Sequence, residues 1–275
     1  MELSDRKSKQ SIFPFKSLRI LPYQIFAGAF NMALDFTLAQ NMTDDSIPVL
    51  RFYGWQPYCL SLGHNQDSSL IDFEQLKNKG YDVVRRPTGG SAIFHSEELT
   101  YALILPRKTI DHHKIYELFH GLLTNALRQL GYGVELNYVS DHENYIKEGR
   151  KRFACFNRPA FAEVKFSHRK VVGSAQKIYR HALLQHGSVL IGEKQNEIIR
   201  FLKLNEPEKI KYEKNLRERS VSLFEINKQR IAPLQIAEAL LRQFDQVLHL
   251  KLFYEQLTAG DIEHAQKFVH QFKIQ

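Results

Sequence analysis

Arg85-Arg86-Pro87-Thr88-Gly89-Gly90-Ser91-Ala92-Ile93-Phe94-His95 is the stretch on which the reading of this chain turns. Strand-forming residues from Tyr81 to Arg86 feed a Gly-Gly turn, which lets the backbone approach a ligand and aim N–H groups at an oxygen. No Gly-Lys-Ser/Thr follows, so it is not a P-loop, and it is not G-x-G-x-x-G. Taken alone it is either a tight turn or a binding site. Arg85 and Arg86 beside it could hold an anionic or carbonyl-bearing ligand.

A second segment, some sixty residues on, begins at Cys155 and runs through Arg169-Lys170-Val171-Val172-Gly173-Ser174-Ala175-Gln176 to Leu183-Leu184-Gln185-His186-Gly187-Ser188. A thiol acts as a nucleophile only as thiolate, and Arg152 and Arg158 are close to Cys155 in sequence. From these residues alone an inert cysteine remains the simpler reading. Lys170 has two: an edge-strand lysine that blocks aggregation, or a cation for a carbonyl and its developing oxyanion. His186 is either a general base or a satisfied core histidine. A Ser188–His186–Asp141 triad can be drawn, but no G-x-S-x-G elbow supports it.

The 275 residues are 43% hydrophobic, enough for a substantial core, and only residues 1–12 look loose; a single domain over 13–275 is expected. No secretory h-region and no membrane-length apolar run is visible. The expectation is a soluble, cytoplasmic monomer. Two cysteines make no disulfide framework, and Cys59, in Pro57-Tyr58-Cys59-Leu60-Ser61-Leu62, reads as apolar filler on a strand. No metal-ligand spacing occurs, so no metal and no cofactor are expected. A net charge of +8 and a pI near 9.3 suit an acidic protein partner. Nucleic acid is disfavoured, because Lys147, Arg150, Lys151 and Arg152 are not interleaved with aromatics. The Lys209–Arg219 run alternates with Glu213 and Glu218, as an ordinary helix face does.

Helices are expected over Phe30–Met42 with Asn31 as N-cap, Phe73–Lys79, His113–Leu130 with Gly131 beyond it, Pro233–Val247, and Ala259–Phe272 with a Thr258/Asp261 capping box. Strands are expected on either side of a turn at Gly54 and Pro57, then over Tyr81–Arg86, Leu99–Leu105 and Val134–Tyr138. Ala160–Phe166, Lys170–Ser174 and Leu183–Ile191 read as an antiparallel meander, and 140–152 as a loop. Elements that intersperse without strict βαβ alternation predict an α+β fold, with a mixed, mostly antiparallel sheet and packed helices.

At these residues the chain resembles the biotin/lipoate A/B protein ligase superfamily. The glycine-turn stretch is similar to its R-R-x-T-G-G-x-A-V-x-H motif. His168 to Gln176 is similar to G-R-K-x-x-G-S-A-Q, and Leu183 to Leu190 to L-Q-H-G-S-I-L. Asn31–Asp35 and Leu50–Trp55 also match. Ala154-Cys155-Phe156-Asn157-Arg158-Pro159 and Glu98-Leu99-Thr100-Tyr101 resemble the cysteine-dependent octanoyltransferase branch. The resemblance implies that superfamily's catalytic-domain fold. It also implies transfer of an octanoyl group from octanoyl-acyl carrier protein to a lysine of a lipoyl-accepting protein, such as glycine-cleavage H protein. It makes Cys155 the acyl carrier and Lys170 the carbonyl-orienting cation. Arg85, Arg86, Thr88, Gly89, Gly90, Ser91, His95, Gly173, Ser174, Ala175, His186 and Gly187 become substrate-binding residues. An ATP-dependent lipoate–protein ligase forming a lipoyl-adenylate and a non-catalytic lipoyl-domain-binding homologue are the alternatives. The chain departs from the motifs at Ser91, His168, Ile178 and His181.

Overall fold

The structure, a computed structural model, describes residues 9, 11–107, 110–138 and 162–274. Cys155, Arg152, Arg158, the Lys147–Arg150–Lys151 cluster, Asp141 and the expected loop over 140–152 lie outside those residues. The strands are β1 (Ser17–Phe26), β2 (Val49–Trp55), β3 (Cys59–Leu62), β4 (Asp82–Arg85), β5 (Ile93–His95), β6 (Glu98–Pro106), β7 (Glu135–Tyr138), β8 (Ala162–Phe166), β9 (Arg169–Lys170), β10 (Val172–Ile178), β11 (Ala182–Leu190) and β12 (Lys251–Tyr254). The helices are α1 (Gly28–Gln40), α2 (Phe73–Asn78), α3 (His112–Gln129), α4 (Glu206–Arg219), α5 (Leu223–Asn227), α6 (Pro233–Leu248) and α7 (Ala259–Phe272), with a 3-10 helix at Lys194–Phe201. This is the expected α+β fold.

Six strands form the central sheet in the order β10-β11-β6-β2-β1-β12. β1 pairs in parallel with β2 and β12, while β2–β6, β6–β11 and β11–β10 are antiparallel. Alternation along each strand divides the side chains between two faces. On β6, Leu99, Tyr101, Leu103 and Leu105 join the core under α3 and α6, while Ala102 and Ile104 join the core under α1 and α7. Both faces are covered, so β2, β6 and β11 are buried along their whole length. Two small sheets flank this one: β4-β3-β5, which carries the glycine turn between β4 and β5, and β7-β8-β9. No helix among the described residues is long and apolar enough to cross a membrane.

Local signals place several elements as expected. α3 ends with Gly131 at φ +86, and Thr258 and Asp261 form a capping box at α7. α4 is a solvent-facing helix laced by Lys209–Glu206, Arg217–Glu213 and Lys214–Glu218 ion pairs. Two expectations are corrected. Asn31 is no N-cap: α1 starts at Gly28, whose N–H is taken by the Asp82 carboxylate at 2.9 Å, and Asn31 is buried inside the helix. Gly54 lies within β2, not in the turn, because β1 runs beside it through Ile25. The β8–β9 turn holds Ser167 and His168 at φ 46 and 66. Two consecutive positive φ values are what a two-residue hairpin turn demands, so His168, which replaces the family's glycine, sits in a left-handed conformation.

Candidate active site

A narrow slot opens beneath the central sheet on the α1 side. Register shows how it is built. Gly173 and Ala175 of β10 pair with Ser188 and His186 of β11, Ser188 pairs with Thr100 of β6, and Thr100 with Tyr53 of β2. Directly opposed residues share a face, so these side chains form one row across four strands. Three strand spacings of about 4.8 Å make that row roughly 14 Å long. Met32, Trp55, Arg86, Ile93 and His95 complete the lining. The enclosed free volume is about 20 Å³, room for about one water.

The polar groups around the slot satisfy one another. Arg86 is buried and spends all five N–H groups on the protein. Nε donates to Thr88 Oγ1 at 3.2 Å, Nη1 to Ser61 O and Oγ at 3.2 and 3.3 Å, and Nη2 to Gly89 O and Ser91 O at 2.9 and 2.8 Å. Two hydrogen-bond chains leave it. In one, Thr88 Oγ1 lies 2.7 Å from His186 Nε2, and His186 Nδ1 lies 3.2 Å from Asp35 Oδ2. In the other, Ser61 Oγ lies 2.7 Å from His95 Nε2, and His95 Nδ1 lies 2.6 Å from Glu98 Oε1. Each chain ends on a carboxylate, which only accepts. That assigns the proton to Nδ1 in both histidines and makes each Nε2 an acceptor. Glu98 Oε1 also accepts from Thr100 and Ser188, while its buried Oε2 has no partner among the described residues. The Trp55 ring stacks on His95 with centroids 3.9 Å apart, and its N–H donates to Thr100.

Asp35 gathers more than His186. Arg51 Nη1 donates to its Oδ1 at 2.5 Å and Tyr53 OH to its Oδ2 at 2.8 Å, all within the core. Burial, then the Asp35 charge, pushes the Tyr53 hydroxyl pKa well up. Burial lowers that of His186 against the pull of Asp35, which keeps the imidazole neutral.

The turn itself is held from below. The Gly90 carbonyl packs on Gly63, where an added Cβ would lie 2.0 Å from that oxygen. Arg85 donates to the carbonyls of Gly63, His64 and Gln66, and His64 N–H donates to Thr88 O. Arg85 therefore fastens the neighbouring loop.

Beneath Gly187, on the opposite face, lies a second cluster. An added Cβ there would meet Ser174 Oγ at 2.4 Å and Tyr101 OH at 2.9 Å. The missing side chain lets Ser174 Oγ lie 2.6 Å from Tyr101 OH and 2.8 Å from His120 Nε2. Lys170, only 4% exposed, is no solvent-facing edge lysine; its Nζ lies 3.1 Å from Glu163 Oε1, and Lys165 takes Glu163 Oε2 at 2.7 Å. Lys170 is not among the residues lining the slot. Burial raises the Glu163 pKa, but Lys170 and Lys165 outweigh it and hold the group below its usual range. Burial first, and the Lys170 charge next, depress His120 from 6.5 to about 3.

His120 therefore makes stability pH-dependent. Its folded pKa is the lower one, so as pH falls the unfolded chain takes the proton first. Stability is full above about 6.5 and declines below, by about 2 kcal/mol between pH 7 and pH 5. Urea melts of the wild type and His120→Gln at both pH values should differ by about that amount. Equal pH dependence in the two proteins would exclude His120 as the source.

The structure thus brings Arg86, His95, Gly173, Ala175 and His186 together around the slot, with Ser174 and Gly187 bridging to the second cluster. Thr88 and Ser91 stand behind it, bonded to Arg86, and Gly89 and Gly90 lie in the exposed turn between Arg86 and Ile93. Asp35, Arg51, Tyr53, Ser61, His120 and Glu163 were given no role from sequence. A charge inside an apolar run was the available signal: Arg51 in Val49–Trp55 and Asp35 among the apolar residues of α1. Cys59 is buried with its thiol pKa pushed well up by burial, then by Asp82, and it packs against Gly28.

Comparison with known proteins fits this geometry. The lipoyl protein ligase A/B catalytic domain model matches residues 27–245. An octanoyltransferase LipM from Kyrpidia tusciae is 32% identical over 260 residues, covering 90% of this chain and 92% of its own length. The octanoyltransferase LipM of Bacillus subtilis is 31% identical over 252 residues, 88% of each chain. The bipartite lipoate protein ligase of Thermoplasma acidophilum shares the fold with a TM-score of 0.75 at 20% identity, over 94% of this chain and 93% of its own. A match across most of the chain, on a sheet whose slot is built from the matching motifs, means that this protein belongs to the lipoyl protein ligase A/B catalytic domain family.

Proposed function

We propose that the protein moves an octanoyl group from octanoyl-acyl carrier protein to a lysine of a lipoyl-accepting protein, glycine-cleavage H protein among them. The carrying observation is the set of octanoyltransferase relatives at about 30% identity over some nine-tenths of the chain. The slot supports it. An extended eight-carbon chain spans about 9 Å from carbonyl to methyl, seven zigzag bonds of about 1.5 Å each; that is shorter than the row of roughly 14 Å, and the slot's walls must part to admit it. The inward N–H groups of Arg86 are already engaged by the protein, which suits an uncharged chain.

In this reading the Cys155 thiolate attacks the donor thioester carbonyl. The C–S bond to the carrier breaks, the carrier leaves as a thiolate that takes a proton from solvent, and the octanoyl group stays on the Cys155 sulfur. The neutral amine of the acceptor lysine then attacks that carbonyl; an amide forms, the Cys155 sulfur leaves, and the amine's surplus proton passes to solvent. Lys170 orients the carbonyl and stabilises the negative charge that develops on its oxygen. The setting is the cytoplasm, where thiols stay reduced. Acidic carrier and acceptor proteins suit the net charge of +8.

Intact mass after incubation with octanoyl-carrier protein tests this. The wild type and Cys59→Ala should carry one octanoyl adduct, and Cys155→Ala none, with its transfer abolished. Normal turnover in Cys155→Ala would overturn the thioester route. Activity only with ATP and free acid would replace it with the ligase reaction.

A further inference from the structure

The chain from Asp35 to the glycine turn contains no group that the transfer chemistry uses. We propose that Asp35 and His186 are positioning residues that act through Thr88 and Arg86 to hold the Gly89–Ser91 turn, which joins the slot-lining Arg86 to the slot-lining Ile93. This rests on reading the slot as an acyl site.

Direction along the chain carries the argument. Asp35 can only accept, so His186 presents Nδ1–H to it and a bare Nε2 to Thr88. Thr88 must then donate its hydroxyl proton to His186 and keep its lone pairs for Arg86 Nε–H. Arg86 is thereby aimed so that Nη2 reaches the carbonyls of Gly89 and Ser91. Every bond has one possible polarity, and reversing any one leaves two donors or two acceptors face to face.

The same constellation of hydroxyl, imidazole and carboxylate serves elsewhere as a nucleophile relay. Here Thr88 is fully buried and its oxygen is engaged on both sides, so it cannot meet a substrate. The turn, by contrast, needs holding. Residues 86–91 belong to no strand or helix, while Gly89 and Gly90 are exposed. The slot holds about 20 Å³, so a chain of eight carbons enters only as its walls part, Arg86 and Ile93 at the two ends of the turn among them. A turn anchored by directional bonds can yield and return to one position.

Thr88→Val keeps the shape and removes the hydroxyl, and Thr88→Ser keeps the hydroxyl. Two measurements separate them: amide hydrogen exchange at Ser91 and Ala92, the buried end of the turn, and the KM and kcat for octanoyl-carrier protein. Loss of a buried hydrogen bond is worth about a tenfold change or more. Thr88→Val should therefore exchange these amides about tenfold faster and raise KM about tenfold, with kcat falling less. Thr88→Ser should stay near wild type on both counts. His186→Phe cuts the chain at its middle and should reproduce the valine variant, which guards against one substitution that misfolds. Turn amides as protected in Thr88→Val and His186→Phe as in the wild type would overturn the proposal. Absence of octanoyl transfer by the wild type would sink the functional reading alone, since the exchange measurement still decides the relay.

Discussion

Lys170→Ala should lower the rate of acyl-enzyme formation by about 10²–10³-fold. That is the usual effect of removing one donor aimed at a developing oxyanion. Lys170 is buried and paired with Glu163 at 3.1 Å, so the variant also removes one of the lysines that hold the Glu163 carboxylate. A modest drop in melting temperature is expected alongside the kinetic loss. Lys170→Arg should recover charge but not rate, because a planar guanidinium aims its donors differently from an ammonium. A lysine that serves only to pair with Glu163 would make a different forecast, a lower melting temperature with catalysis spared. Rapid-quench acylation on soluble Lys170→Ala decides between them, and an unchanged rate would remove Lys170 from the mechanism.

What could be read from the sequence was local or motif-bound. The spacing of Ile115, Phe119, Leu122, Leu123, Ala126 and Leu127 defines α3 because one helical face meets the sheet. Gly173-Ser174-Ala175 and His186-Gly187-Ser188 end up paired because one hairpin fixes their register. The sequence carries no local sign of the parallel strands β1 and β12. They pair Ser17 with Lys251, and a contact across so much chain leaves no local periodicity to find. Asp35 and Arg51 lie inside matching motifs, but only the packing of α1 on β2 shows that they meet. His120 looks like any polar residue of an amphipathic helix until Ser174, from another element, is placed beside it. Thr88 and His186 were tied to the ligand by resemblance, whereas the geometry ties them first to each other.

The Asp35–Arg51 pair should dominate the stability of the slot. Both side chains are at most 1% exposed, so each charge has the other in place of water. Breaking such a pair from one side strands the partner charge and typically costs about 3–5 kcal/mol. Asp35→Asn should therefore lower the melting temperature by about 10 °C or more, at roughly 2–4 °C per kcal/mol for a domain of comparable size. The asparagine must also turn its amide toward a donor, Arg51 on one side or Tyr53 and His186 on the other. Arg51→Met should cost less, because Asp35 keeps Tyr53 and His186. The double variant Asp35→Leu, Arg51→Met should recover much of the loss, since replacing both charges with apolar groups removes the stranded partner. Equilibrium urea unfolding of the two single variants and the double gives the coupling energy directly. Additive losses would mean that each residue is held by other contacts, and that the carboxylate anchoring the His186 relay does not depend on Arg51 for its place in the core.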